Sequence, residues 1–82
     1  MNSQRVTYGE MAAFLQSLGF ERVLVPESRV IYRHSASPAS LILPIEKPTA
    51  HVSSLHLAMT RSMLVDFGFL SNTDVDRWLA DP

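Results

Sequence analysis

The 82-residue sequence contains no cysteine. That excludes a disulfide framework and a thiolate metal site, and it suits a reducing compartment. Long apolar runs are also missing. No window approaches the roughly 18 consecutive apolar residues that a membrane helix needs. The opening stretch "MNSQRVTYGE" has no apolar run behind its arginine, so no secretory leader is expected. There is no low-complexity tract and no internal repeat. An excess of charge of one sign is lacking too: charged residues are 18% of the chain, the net charge is −1 and the pI is about 6.2. Dedicated nucleic-acid binders are usually basic, so the whole-chain balance leans against that class.

What is present is globular. Hydrophobic residues make up 46%, too many for a disordered chain. One domain over residues 1–82 is the expectation, with no membrane association and a cytoplasmic location. A domain of this size buries only roughly 60–65% of its unfolded surface. A homodimer or a bound partner would supply the stability reserve it otherwise lacks. The charge is unevenly placed. Residues 1–64 carry six Lys or Arg against four Glu, whereas residues 65–82 carry Arg77 against Asp66, Asp74, Asp76 and Asp81. A weakly basic body with an acidic tail is one reading; an ordinary mixed surface is the other.

"VTYGEMAAFLQSLGF" predicts a helix over about Tyr8–Leu18. Thr7 and Glu10 are spaced for a capping box, and Val6 and Met11 hold the hydrophobic-staple positions. Met11, Phe14, Leu15 and Leu18 line one face, and Gly19 supplies a left-handed stop. "FERVLV" predicts a strand over Phe20–Val25, ended by Pro26. "RVIYR" predicts a second, with Val30 and Tyr32 on one face and Arg29, Ile31 and Arg33 on the other. "HSASPAS" is turn chemistry, and "SLILP" predicts a third strand, apolar throughout and buried. A second helix over "SSLHLAMTRSMLVDFGF" is expected to bury Leu55, Met59, Met63 and Phe67, with Ser53 as N-cap. "SNTDVDRWLADP" predicts a short third helix, started at Ser71 or Thr73, with Val75, Trp78 and Leu79 inward. Helices laid on one face of three antiparallel strands make an α+β two-layer sandwich, α-β-β-β-α with a short extra C-terminal helix.

The segment "VPESRVIYRH" carries the chemistry. Arg29 and Arg33 share a strand face, which reads either as a phosphate-contacting stripe or as a solvated edge. Tyr32, Trp78, Met59 and Met63 are most simply core residues. His51 and His56, spaced i and i+5, do not share a helical face. With no Cys and no H-E-x-x-H pattern, no metal site is expected, and no cofactor. Ser-His-Asp chemistry has no nucleophile-elbow context.

The same segments resemble the HicA (YcfA-like) family of small bacterial toxins over about residues 7–70. The resemblance is carried by the capped first helix ending in "LGF", by "ESRVIYRH" at the opening of strand two, by "LILP", and by the second helix ending in "FGFL". It implies a double-stranded-RNA-binding-like fold, an RNA-cleaving activity, an RNA ligand and a HicB-like antitoxin as protein partner. Residues 71–82 then form the extra helix. The family places Gly-Ser-His-x-x-aromatic at the start of strand two. Here Ser28 and Tyr32 match, Arg33 and His34 fit the trailing basic–His pair, but Glu27 stands at the Gly and Arg29 at the catalytic His. Metal-independent RNA cleavage needs a group that accepts the 2′-hydroxyl proton, a role suited to a His titrating at about 6.5. Arg stays protonated to above roughly pH 12 and cannot accept it. It can still grip phosphate through its bidentate fork. His34 lies about 16–17 Å further along an extended strand and on the opposite face by parity, so a takeover is not expected.

The resemblance thus implies an RNA-binding protein whose mRNA-cleaving activity is lost or reduced, with Ser28, Arg29, Arg33 and His34 as the nucleic-acid-contacting set. A protein-interaction module that keeps the fold without RNA affinity, and an intact ribonuclease with a different base, are the competing readings.

Overall fold

The structure is a computed structural model that describes residues 6–26 and 28–80. The elements run α1 (Tyr8–Ser17), β1 (Phe20–Val25), β2 (Arg29–His34), β3 (Ser40–Pro44), α2 (Ser54–Asp66) and α3 (Asn72–Ala80). The fold is α+β: three antiparallel strands in the order β1-β2-β3, with helices before and after them.

The start of α1 shows why it begins where the sequence says. The Thr7 hydroxyl accepts from the Glu10 N–H at 3.1 Å, and the Glu10 carboxylate accepts from the Thr7 N–H at 2.9 Å. The next two unpaired amides, Tyr8 and Gly9, donate to the carbonyls of Ala50 and Pro48. The segment after β3 therefore completes the helix terminus. Gly9 leaves room for that approach: a Cβ there would stand 3.1 Å from the Pro48 oxygen, so the segment would have to give by a few tenths of an ångström. At the other end Gly19 takes φ +99°, letting the chain turn directly into β1.

The pleat then sorts the sheet. Val30, Tyr32, Leu41 and Leu43 are buried on one face. Met11 and Leu15 from α1 and Met63 and Leu64 from α2 join them in the core. α1 lies against β1 and α2 against β3. Tyr32 is a core residue, as its side of the strand predicts. β3 is buried only on alternate residues: Ile42 is 50% exposed, because a strand covered on one side presents every second side chain to the other. The expectation of a wholly buried third strand is corrected on that ground.

The face assigned to α2 is also corrected. Leu55 and Phe67 are exposed, Met59 is partly exposed, and the buried residues are Thr60, Met63 and Leu64. Residues four apart advance about 40° around a helix with 3.6 residues per turn. A row running from Leu55 to Phe67 therefore winds about 120° and cannot stay on one side. Thr60 is buried without penalty, since its hydroxyl donates to the His56 carbonyl at 2.8 Å and touches the Met11 sulfur at 3.3 Å.

Ser71 is the residue that starts α3. Its hydroxyl accepts from the Asp74 N–H, and the Asp74 carboxylate accepts from the Ser71 N–H, both at 3.1 Å. Trp78 stacks on Phe14 of α1, with ring centroids 4.1 Å apart, and Val75 is buried beside it. Arg61 of α2 reaches Asp76 at 2.7 Å and the Asn72 side chain at 3.2 Å. Part of the acidic tail therefore folds back onto α2 as a neutralised helix. No helix of the described residues is long and apolar enough to cross a membrane.

Candidate nucleic-acid interface

The register fixes the sheet's outer face row by row. Val25, Arg29 and Pro44 form one row, Val23, Ile31 and Ile42 the middle row, and Glu21, Arg33 and Ser40 the third. Arg29 and Arg33 thus flank an apolar centre, two residues from Ile31 on either side. Strand geometry separates them by roughly 13–14 Å. Both are exposed. The two guanidiniums differ in electrostatic setting. Arg33 has Glu21 directly across the strand pair, with Nε–Oε1 at 3.8 Å and both side chains more than half exposed. A pair that long and solvated contributes about 0–1 kcal/mol. It holds no fixed geometry, but it must be released before Arg33 can grip a phosphate. Among the described residues Arg29 has no ion-pair partner, so its fork is free.

Ser28 precedes Arg29 in a left-handed conformation, φ 61°. A non-glycine residue there costs about 1–2 kcal/mol. Its carbonyl accepts from the Ile45 N–H at 3.0 Å, which ties the turn to the end of β3. Glu27, which stands at the family's Gly position in the resemblance, lies outside the described residues.

His34 is not grouped with the two arginines. It sits on the core side of β2, half-buried, with its ring 5.2 Å from Phe20 and 4.7 Å from Phe69. Nδ1 accepts from the Ala36 N–H at 3.0 Å. That fixes the proton on Nε2, which donates to the Leu18 carbonyl at 3.0 Å. His34 pins the α1–β1 corner to the hairpin, and neither ring nitrogen is free to move a substrate proton. The other two histidines lie elsewhere. His56 Nδ1 and the Tyr8 hydroxyl are hydrogen-bonded at 2.7 Å, joining the starts of α1 and α2. His51 is exposed and bridges to Thr7. Among the described residues no group of three or more His, Asp or Glu converges on a point.

Of the predicted set, the structure brings Arg29 and Arg33 to one side of the sheet, leaves Ser28 in the turn that precedes Arg29, and separates His34 from them. A feature the sequence did not reveal lies on the helix-covered side: a cavity of about 260 Å³ between α1 and the sheet. Tyr32 and Val30 line it, with Arg22 and Glu46 supplying opposite charges. Nothing in local spacing could have found it, because its walls come from five separate segments. Comparison with protein-family models, with curated proteins and with solved structures finds no match for this chain.

Proposed function

We propose that the protein is a HicA-like member of a toxin–antitoxin system, with a double-stranded-RNA-binding-like fold, which binds RNA through Arg29 and Arg33 and has lost most or all mRNA-cleaving activity. The observation that carries this reading is the Arg29 fork, unpaired among the described residues, on an exposed sheet face with no histidine beside it. A guanidinium there holds a phosphate in two parallel charge-assisted hydrogen bonds. Arg33 offers a second contact once it leaves Glu21, and Ser28 stands at the turn with an exposed side chain. The step that breaks RNA needs a proton acceptor at the 2′-hydroxyl. Arg29 cannot serve, and His34 is engaged on the far side of the sheet by Leu18 and Ala36. A HicB-like antitoxin and a cytoplasmic setting complete the reading.

RNA binding at two salt concentrations, with cleavage scored in the same tubes, tests it. Binding is expected to weaken with salt, each single-strand phosphate contact adding about −0.7 to the log–log slope, without cleavage. Arg29→His is expected to introduce or raise cleavage. Robust cleavage by the unaltered protein would overturn the reading. A second reading, a protein-interaction module, is favoured by the exposed Ile42, Leu55 and Met59. It predicts no salt-sensitive RNA binding.

A further inference from the structure

β3 is an edge strand: among the described residues nothing pairs with its outer side. The hydrogen bonds identify which of its groups are left over. The His34 N–H donates to the Ala39 carbonyl, and the Ile45 N–H to the Ser28 carbonyl. Both are pairs of directly opposed residues. In an antiparallel ladder the alternation then points the amides and carbonyls of Leu41 and Leu43 at β2, and those of Ser40 and Ile42 outward. The next outward positions before and after are 38 and 44, and both are proline. The open edge is therefore a window of two donors and two acceptors, closed at each end by a residue that has no N–H to satisfy.

This window is complementary to itself. Placed antiparallel about a two-fold axis at Leu41, Ser40 of one copy opposes Ile42 of the other. Both donors and both acceptors of each copy are then used, giving four hydrogen bonds, while Pro38 opposes Pro44 and strands no donor. Shifting the axis to Ile42 puts the Pro44 ring against the Ser40 carbonyl and loses that closure. The flanking surface fits the same arrangement. Edge strands that avoid association usually carry charge. β1, at the other edge, has Glu21 and Arg22, whereas "SLILP" has none. Above the window a shallow groove of about 570 Å³ runs between β3 and α2, lined by Ile42, Ala58, Met59 and Met63 with Ser40 and Ser62. The first two turns of α2, "SLHLAMT", carry no Lys, Arg, Asp or Glu to repel a copy of themselves. Leu55, 65% exposed, and Met59 lie on that helix, and two-fold pairing of the strands sets the two helices side by side on one face of the joined sheet.

We propose that the protein dimerises by antiparallel pairing of β3 with β3 of a second copy about Leu41, forming a continuous six-stranded sheet with the α2 helices abutting. This assembly is independent of RNA binding, whose proposed residues lie on β2 and its preceding turn.

Light scattering of the nuclease-treated full chain across a concentration series, with amide hydrogen exchange on the same samples, tests it. The expected result is a particle of twice the 9.2 kDa chain mass, with the Ser40 and Ile42 amides protected and that protection lost on dilution. Ile42→Pro removes an outward N–H that is unpaired among the described residues, and Met59→Glu places like charges across the axis. Each is expected to give a monomer with an unchanged circular dichroism spectrum. If Ile42→Pro fails to fold, Met59→Glu and the exchange pattern decide. A chain that stays monomeric to its solubility limit overturns the proposal. So does a dimer that survives both folded variants, one whose Ser40 and Ile42 amides exchange freely, or one lost with Met59→Glu but kept with Ile42→Pro.

Discussion

Gly19→Ala tests the corner that His34 holds. Gly19 sits at φ +99°, where an L-residue costs about 1–2 kcal/mol. The added Cβ would stand 2.8 Å from His34 Nε2, too close for two non-bonded atoms. The ring must retreat, and its hydrogen bond to the Leu18 carbonyl at 3.0 Å goes with it, a further ~1 kcal/mol. Its edge-on contact with Phe20, 5.2 Å between centroids, adds about 0.5–1 kcal/mol. The sum is a loss of roughly 2.5–4 kcal/mol, against a total stability of roughly 4–12 kcal/mol for a chain of this length. Urea denaturation followed by the fluorescence of Trp78, the single tryptophan, reads the change directly. A second measurement separates the two causes. In a His34→Ala background the steric part is absent, so Gly19→Ala is expected to cost only its backbone share, with a coupling of about 1 kcal/mol or more. Additive effects would refute the clash. A Gly19→Ala variant within about 0.5 kcal/mol of the parent would refute the whole account.

Other consequences follow from the contacts at the helix starts and on the outer sheet face. Thr7→Ala removes the hydroxyl that caps Glu10 N–H and is expected to cost about 0.5–2 kcal/mol in the same denaturation assay. Glu21→Gln frees Arg33 from its cross-strand carboxylate and is expected to raise RNA affinity and steepen its salt dependence, whereas Arg29→Gln is expected to flatten it. Filter binding across a salt series checks both. The Asp74 carboxyl is held below its ordinary 3.8, first by the Ser71 N–H, then by the Ser71 hydroxyl, with Arg77 adding to them. A depressed folded-state value means that its contribution to stability is present above 3.8 and is lost as pH falls through the folded value. Asp74→Asn is therefore expected to make stability fall less steeply across that acid window, as measured by thermal melts against pH.

Local chemistry was enough to place most elements. The reciprocal Thr7–Glu10 and Ser71–Asp74 bonds form within four residues, so sequence spacing alone specifies those helix starts. Period-two alternation placed Tyr32 inside and Arg29 and Arg33 outside, because adjacent residues of a strand must point to opposite faces. The three strands fell where β-branched runs meet Pro26 and the Ser-rich turn. The side of α2 that is buried was not legible in this way. An i+4 row of apolar residues marks a drifting line on the helix, and only the position of β3 decides which part of that line is covered. Thr60 is inside, where its hydroxyl meets the Met11 sulfur, and Leu55 is outside. His34 shows the same division. Its parity was local, but its hydrogen bond to Leu18 and its contact with Phe69 join residues 16 and 35 positions away. That Arg29 cannot act as a proton acceptor is legible from the sequence alone, since a guanidinium accepts no proton in any fold. That no histidine stands beside Arg29, and that no described residue pairs with the outer edge of β3, depend instead on which distant segments the chain brings together.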